Sequence, residues 1–239
     1  ASDGTWSVVA SALDTDLGND IKYAGALTVT DIATSDKVAA LTSYTTAETG
    51  ATTNTLAADG TWSLAVGALT TALGDGVRLA GALTVTGITD EAAALTDYTA
   101  TTTGATSVTL TANGAWSVAA ADLAAALGDG VLLDGTLAVT SIASGSETAA
   151  LTAYTDALTG ATSVTLTASD TNWSVAAATL DTALAAGVQL AGNLTVTGIS
   201  TETNASTTYS KIATGASNVM LTASDGTWSV VASALDTDL

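Results

Sequence analysis

Four residue types are missing from the 239-residue sequence: cysteine, histidine, proline and phenylalanine. Without cysteine or histidine, the chain cannot form a Ser-His-Asp triad, a cysteine nucleophile or a zinc site with His or Cys ligands. Without cysteine there is also no disulfide framework, so thiol usage indicates no redox compartment. These absences exclude many classes of enzyme.

Positive charge is also scarce, because 4 Lys and Arg stand against 23 Asp and Glu, for a net charge of −19 and a pI near 4.1. Such a chain repels phosphate backbones and anionic membrane surfaces, so we expect no nucleic-acid partner. No run of 18 apolar residues occurs, and the N-terminus lacks the basic region of a signal peptide. We therefore expect no membrane insertion.

Aromatic residues are few, yet they are spaced regularly. The five tryptophans recur every 54 to 57 residues, and four of the five tyrosines recur at a similar spacing. The members of the two series are Trp6, Trp62, Trp116, Trp173 and Trp228, and Tyr44, Tyr98, Tyr154 and Tyr209. We assign the tryptophans a structural role, in which each caps the core of one repeat unit.

A longer period lies above this one, because residues 1–17 and 223–239 are identical and 222 positions apart. We interpret the chain as an excerpt of a longer tandem array that starts and stops inside a unit. The predicted organisation is a partial unit at 1–49, units at 50–103, 104–159 and 160–214, and the start of another unit at 215–239.

Within one unit the pattern predicts strands. Residues 107–112 alternate in polarity and are followed by Asn113-Gly114, a dipeptide typical of type I′ hairpin turns, and by a second strand at 115–119. Residues 121–127 are rich in Ala and Leu and fit either a short helix or a loop. The segment around Tyr154 is interpreted as a further strand. The predicted fold class is all-β, a tandem array of small, Ig-like β-sandwich units of about 55 residues. In the alternative arrangement, neighbouring units share strands.

One stretch carries a family resemblance. The sequence ADGTWSLAVGALTTALGDGVRLAGALTVT at 58–86 resembles the Ig-like repeats of giant bacterial surface adhesins, of the biofilm-associated and RTX type, and VCBS-type cadherin-like repeats. TAETGAT at 46–52 is similar to the entry of those repeats. The resemblance implies a β-sandwich fold at a cell surface. This chain departs from the family in having short units and no proline.

Calcium is the one cofactor that the residues suggest. Asp14, Asp16 and Asp20 place three carboxylates at i, i+2 and i+6, and carboxylate oxygens are ligands that Ca²⁺ prefers. The segment lacks the full spacing of an EF-hand loop and its terminal glutamate. The alternative interpretation is that these are solvated turn carboxylates.

Two further motifs are frequent by chance in a chain rich in Ser and Thr. Asn172, Asn193 and Asn204 each begin an Asn-x-Ser/Thr sequon, the acceptor motif for N-glycosylation. Thr-x-Thr pairs recur in the strands, and we interpret them as ordinary solvent-facing residues rather than as an ice-binding array, because one pair per unit is sparse.

The leading functional hypothesis is a structural, non-enzymatic one. We expect a repeat segment of a giant extracellular surface protein that forms a filament, stalk, sheath or surface layer, with copies of itself as partners and with no small-molecule substrate. A catalytic pair is needed once and would not be repeated in tandem. The alternative is the extender region of an adhesin whose ligand-binding domain lies elsewhere. If the array is continuous, 217–223 pairs with 228–232, and Trp6 and Trp228 lie in like environments.

Overall fold

The computed structural model describes residues 4–200 and 205–232. Strands and helices alternate along it. The first repeat contains β1 (Thr5–Val9), α1 (Ala10–Gly18), β2 (Ala26–Ile32), a 3₁₀ turn (Thr34–Asp36), α2 (Lys37–Ser43) and α3 (Thr46–Thr49). The second contains β3 (Thr53–Ala58), β4 (Trp62–Ala65), α4 (Val66–Gly74), β5 (Val77–Ala80), β6 (Ala82–Ile88), α5 (Glu91–Asp97) and α6 (Ala100–Thr103).

The later part of the chain repeats this order. The third repeat contains β7 (Ser107–Ala112), β8 (Trp116–Ala119), α7 (Ala120–Gly128), β9 (Val131–Asp134), β10 (Thr136–Ile142), α8 (Glu147–Ala153) and α9 (Asp156–Thr159). The fourth contains β11 (Ser163–Ala176), α10 (Ala177–Ala185), β12 (Val188–Ile199), α11 (Ala205–Thr208) and α12 (Lys211–Thr214), and β13 (Asn218–Ala223) and β14 (Ser229–Val231) follow.

The chain divides into two units, residues 1–113 with 125–132, and residues 114–124 with 133–239. The first is built on two four-stranded sheets, ordered β1-β2-β3-β5 and β4-β6-β7-β9, and the second on a six-stranded sheet, ordered β14-β13-β12-β11-β10-β8. In the described residues, each strand pair with a defined register is parallel except β13 with β14, which is antiparallel. The predicted all-β array of Ig-like sandwiches is therefore wrong, since the fold is mixed α/β with parallel sheets.

The crossover helices are the physical reason for this difference. Parallel neighbours need a connection of about a dozen residues or more, usually a helix. In the third repeat, α7 supplies that connection between β8 and β10. Its sequence AADLAAALG is rich in helix-forming Ala and Leu, and its buried residues, Leu123 and Ala126, are three positions apart. Residues 121–127, whose sequence fits either a short helix or a loop, thus lie in a helix.

The Asp-Gly and Asn-Gly dipeptides do not make hairpins inside the array. Strands β3 and β4 flank Asp59-Gly60, but β3 pairs with β2 and β5 while β4 pairs with β6. In the fourth repeat the corresponding stretch is the single strand β11, which pairs with β12 before and after a register shift between Thr167 and Asn172. Positive φ at Gly60 (71°) and Thr171 (60°) kinks the chain without reversing it.

The strand predicted around Tyr154 is also wrong, because Tyr154 directly follows helix α8. Its buried neighbours, Ala150 and Leu151, lie four and three residues earlier, which is helical spacing. In a helix of seven residues, a few alternating polar and apolar positions are not enough to distinguish the two periods. The described part of the chain contains no helix of the length and apolarity needed to cross a bilayer.

Candidate functional site

The tryptophans bracket the crossover helices. Each indole Nε1 donates a hydrogen bond to the carbonyl oxygen 18 residues later. The pairs are Trp6–Ala24 (2.9 Å), Trp62–Ala80 (3.0 Å), Trp116–Asp134 (2.9 Å) and Trp173–Ala191 (3.0 Å). In each pair the acceptor lies three residues before the strand partner of the tryptophan, so each bond closes one strand–helix–strand turn. Trp62, Trp116 and Trp173 are at most 2% exposed. Burial of the ring with its N–H satisfied is the geometry that a structural role requires.

The first and last tryptophans lie in unlike environments. Trp6 is 37% exposed, lies in β1 beside the parallel strand β2, and meets the Tyr23 ring edge-on at 5.2 Å. Trp228 precedes β14, which folds back antiparallel on β13. The predicted pairing of 217–223 with 228–232 is confirmed, whereas the predicted likeness of Trp6 and Trp228 is wrong. The copy of α1 would begin at Ala232 and continue over 233–239, which lie outside the described residues.

The three candidate calcium ligands do not converge. Asp14 accepts a hydrogen bond from the Tyr44 hydroxyl at 2.8 Å, and Asp16 accepts one from the Tyr23 hydroxyl. Two residues apart on helix α1, these carboxylates face in different directions. Asp20 lies beyond the helix at a φ of 59°. The described residues contain no cluster of three acidic side chains that could hold a metal ion. The calcium site stays a prediction that this geometry does not support.

Three equivalent cavities lie at the tyrosines of the first, third and fourth repeats, with volumes of about 280, 260 and 340 Å³. Each is lined by the start of a crossover helix, the end of the returning strand, and the helix that precedes the tyrosine. The strand ends in a bulge, at which Asp31 and Ser141 have positive φ. Small alanine side chains leave these cavities open.

The chemistry of the cavities changes from repeat to repeat. The Tyr44 hydroxyl bonds to Asp14, and the Tyr209 hydroxyl bonds to Asp181 at 2.8 Å. In the third repeat the Tyr154 hydroxyl bonds instead to the carbonyl oxygen of Ala120, at 2.8 Å. The fold therefore retains the tyrosine at this position, whereas the hydrogen-bond partner of its hydroxyl changes.

The tyrosine–aspartate pairs predict that the protein loses stability in alkali. Burial, followed by the hydrogen bond to Asp181, raises the pKa of Tyr209 to about 12, and burial with the Asp16 bond does the same for Tyr23. An unfolded tyrosine has a pKa near 10. We expect the stabilisation from these groups to be complete below pH 10 and to be lost as the pH rises from about 10 to about 12.

Urea unfolding across this pH range, with tyrosinate absorbance recorded on the folded protein, measures the effect. Tyr209→Phe is the matched control, because it removes one titrating hydroxyl and keeps the ring. The variant should lose less stability than the wild type between pH 10 and 12. If the folded wild type ionised all of its tyrosines near pH 10, this expectation would fail.

A buried threonine closes each repeat. The Thr103 hydroxyl is fully buried, donates to the carbonyl oxygen of Thr99 at 2.8 Å and accepts the N–H of Ala105 at 3.2 Å. Three other threonines make the same pair of bonds: Thr49, Thr159 and Thr214. The recurring Thr-Gly dipeptide marks this position in the sequence, but its buried role was not predicted.

Valine at position 103 keeps the shape of the side chain and leaves the N–H of Ala105 without its partner. We expect Thr103→Val to lower the free energy of unfolding by about 1–3 kcal/mol. The exposed neighbour Thr106 is the control, and Thr106→Val should change it by less than about 0.5 kcal/mol. Equal effects in urea titrations of the two variants would contradict the role of the buried hydroxyl.

The outward face of each sheet is lined mainly by short polar side chains, which alternate with the buried Leu and Val. Cross-strand partners form rows on this face. The rows are Ser7–Thr28–Thr55–Arg78 and Ser63–Thr84–Thr109 in the first unit, and Ser117–Ala138–Thr165–Gln189 and Ser174–Thr195–Met220 in the second. These side chains are half-buried or exposed. The Thr-x-Thr pairs are thus solvent-facing, as predicted, and adjacent strands bring them together.

Two of the sequon asparagines lie on this face. The Asn193 side chain donates to Asn172 at 3.1 Å and accepts from Asn218 at 2.9 Å, and all three residues are exposed. Asn204 lies outside the described residues.

Searches against protein-family models, curated proteins and solved structures return no match.

Proposed function

We propose that this chain is a structural, non-enzymatic segment of a tandem-repeat surface protein. The supporting observation is the hydrogen bond from the tryptophan indole to the carbonyl oxygen 18 residues later, which recurs in each of four repeats. Repetition of one packing device gives a stack of similar turns, whose stability is the sum of unit and neighbour terms.

A comparison of the repeats with one another supports the non-enzymatic reading. The packing positions are kept, since Trp, Tyr and the buried Thr recur. The partner of the tyrosine hydroxyl is not kept. It is Asp14, Thr70 and Asp181 in the first, second and fourth repeats, and in the third repeat it is the backbone carbonyl of Ala120. A chain maintained for chemistry would hold its reactive groups more constant than its packing groups.

The composition supports a place outside the cell. A net charge of −19 keeps a long repetitive surface soluble, and only 4 Lys and Arg offer few sites to trypsin-like proteases. The partners in this proposal are further copies of the same repeat, arranged along the chain. An adhesin extender would make the same demands on the segment.

Concatemers test the proposal. Proteins with one, two and three copies of the 222-residue period are imaged by electron microscopy or examined by small-angle scattering. Each added period should increase the particle length by a constant increment and should raise the unfolding midpoint by progressively less. Particles whose length did not grow with copy number would overturn the structural proposal. Antibody labelling of intact cells of the source organism tests the location, and labelling only after lysis would contradict it.

A further inference from the structure

The bend between β7 and β8 carries an asparagine at a position where the other repeats carry an aspartate. Asn113 stands there, followed by Gly114. The chain has seven asparagines, and Asn113 is the one that precedes a glycine. This bend therefore places a side-chain amide next to a residue that has no Cβ. The aspartates at the corresponding position are Asp3, Asp59, Asp170 and Asp225.

The dipeptide is open to solvent. Asn113 and Gly114 are both exposed and lie outside the two strands. A Cβ placed on Gly114 would meet no atom within 4 Å beyond its chain neighbours. The φ angle of Gly114 also lies outside the left-handed region, whereas that of Gly60 is 71°. There is thus room for a ring to form at this bend and for water to reach it.

An exposed Asn-Gly dipeptide can cyclise. The backbone nitrogen of Gly114, after it loses its proton, attacks Cγ of Asn113. The new N–Cγ bond forms while the Cγ–Nδ2 bond breaks, and the amide nitrogen leaves as ammonia. The product is a five-membered succinimide ring. The missing Cβ of Gly114 matters here, because a side chain at that position would crowd the attacking nitrogen.

Water then opens the succinimide in one of two ways. Attack at Cγ breaks the Cγ–N bond and gives aspartate with the normal main chain. Attack at the main-chain carbonyl carbon gives isoaspartate, in which the main chain runs through the side chain. Each route consumes one water and releases one ammonia overall, so no oxidant, reductant or metal is needed.

We propose that Asn113 is a site of spontaneous deamidation in the folded protein, with water as the co-reactant. Each event replaces a neutral amide by a carboxylate and makes the net charge of −19 more negative by one. This modification goes beyond the proposed structural function and does not depend on it. Its failure would leave the concatemer experiment and its outcome unchanged.

The aspartate product fits the fold, because another repeat already has it. The Asn113 N–H donates to the carbonyl oxygen of Ile88 at 3.0 Å, and the Asp59 N–H donates to that of Ile32 at 3.0 Å. An aspartate thus holds the same main-chain hydrogen bond at the equivalent bend. We expect Asn113→Asp to leave the urea midpoint unchanged.

The isoaspartate product does not have this precedent. Ala112 pairs with Ile88 before the bend, and Trp116 pairs with Leu137 after it. Isoaspartate adds a carbon atom to the main chain between these two fixed pairs. We therefore expect the isoaspartate fraction to unfold at lower urea concentration than the aspartate fraction, after the two are separated by ion-exchange chromatography.

Peptide mapping by mass spectrometry tests the proposal on the folded protein. The protein is held at mildly alkaline pH, below the range in which its tyrosines ionise, and is then digested. The peptide with Asn113 should gain the mass difference between a hydroxyl and an amino group, and an isoaspartyl methyltransferase should label part of it. Asn193 and Asn218 are the internal controls, because they are exposed but precede Leu194 and Val219. They should react at least about tenfold more slowly.

Two variants separate the mechanism from general surface reactivity. Gly114→Ala should fold like the wild type, since the space and the φ angle permit a side chain, and should slow the loss of ammonia about tenfold or more. Asn113→Gln keeps an exposed amide but would need a six-membered ring, so it should slow the reaction as well. It serves as the test if a circular dichroism melt shows that Gly114→Ala is unfolded.

Three results would overturn the proposal. The first is a folded protein in which Asn113 stays intact while the urea-unfolded chain deamidates there. The second is equal reaction at Asn113, Asn193 and Asn218. The third is a folded Gly114→Ala variant that releases ammonia as fast as the wild type.

Discussion

Alanine in place of Trp116 is expected to lower the free energy of unfolding by about 3–5 kcal/mol. The indole is fully buried, and its Nε1 donates to the carbonyl oxygen of Asp134 at 2.9 Å. The substitution therefore removes a large apolar volume and also leaves a backbone carbonyl without its donor. Both losses fall on the same strand–helix–strand turn.

The chain supplies its own control in Trp6, which makes the same hydrogen bond but is 37% exposed. Trp6→Ala should cost no more than about 1–2 kcal/mol, because less apolar surface is lost. Trp116→Phe should lie between the two, since it keeps most of the ring and loses the N–H. The measurement is urea unfolding followed by far-ultraviolet circular dichroism. Similar losses of unfolding free energy for Trp6→Ala and Trp116→Ala would show that burial of the indole does not stabilise the array.

Proline in place of Ala124 is expected to cost about 3 kcal/mol or more. Ala124 lies in the interior of α7 with its side chain exposed. The substitution therefore removes a backbone hydrogen bond and introduces a clash with the carbonyl of Ala120, which also accepts the Tyr154 hydroxyl. The cost reports directly on whether residues 120–128 form a helix.

A graded series at the same position separates the backbone effect from other causes. Ala124→Ser and Ala124→Gly should cost about 0.5 and about 1 kcal/mol, in the order of helix propensity. A connecting loop between antiparallel strands would tolerate all three residues about equally. If proline at position 124 left the urea midpoint unchanged, the crossover helix and the parallel sheet that depends on it would both be contradicted.

The repeats and the strands themselves could be predicted from the sequence. The spacing of Trp and Tyr gave the period, and alternation over 107–112 located β7 at the bounds that the structure shows. The direction of pairing could not be predicted. Alternating residues look the same in parallel and antiparallel strands, and Asn113-Gly114, which favours a hairpin locally, lies between two strands that do not pair with each other.

The partners of the candidate residues were equally out of reach of sequence. Asp14 and Asp16 lie two residues apart in a segment rich in acidic residues, which suggested a shared ion. In the helix they point to different tyrosine hydroxyls, Tyr44 and Tyr23. The positions of the tryptophans are visible in the sequence, but the sequence does not indicate which backbone carbonyl accepts the indole N–H. Only the fold shows that the acceptor, for example Ala80, precedes the strand partner of the tryptophan, Leu83, by three residues.

Backbone nuclear Overhauser effects around Ser63 distinguish a parallel array joined by crossover helices from a chain of antiparallel hairpins. The structure places Trp62, Ser63 and Leu64 beside Leu83, Thr84 and Val85, in parallel register. Cross-strand contacts should therefore run from Ser63 to residues near Thr84, with the spacing of a parallel pair. A two-residue hairpin at Asp59-Gly60 would instead place Ser63 opposite Leu56. Contacts from Ser63 to Leu56 in an antiparallel pattern would contradict the account.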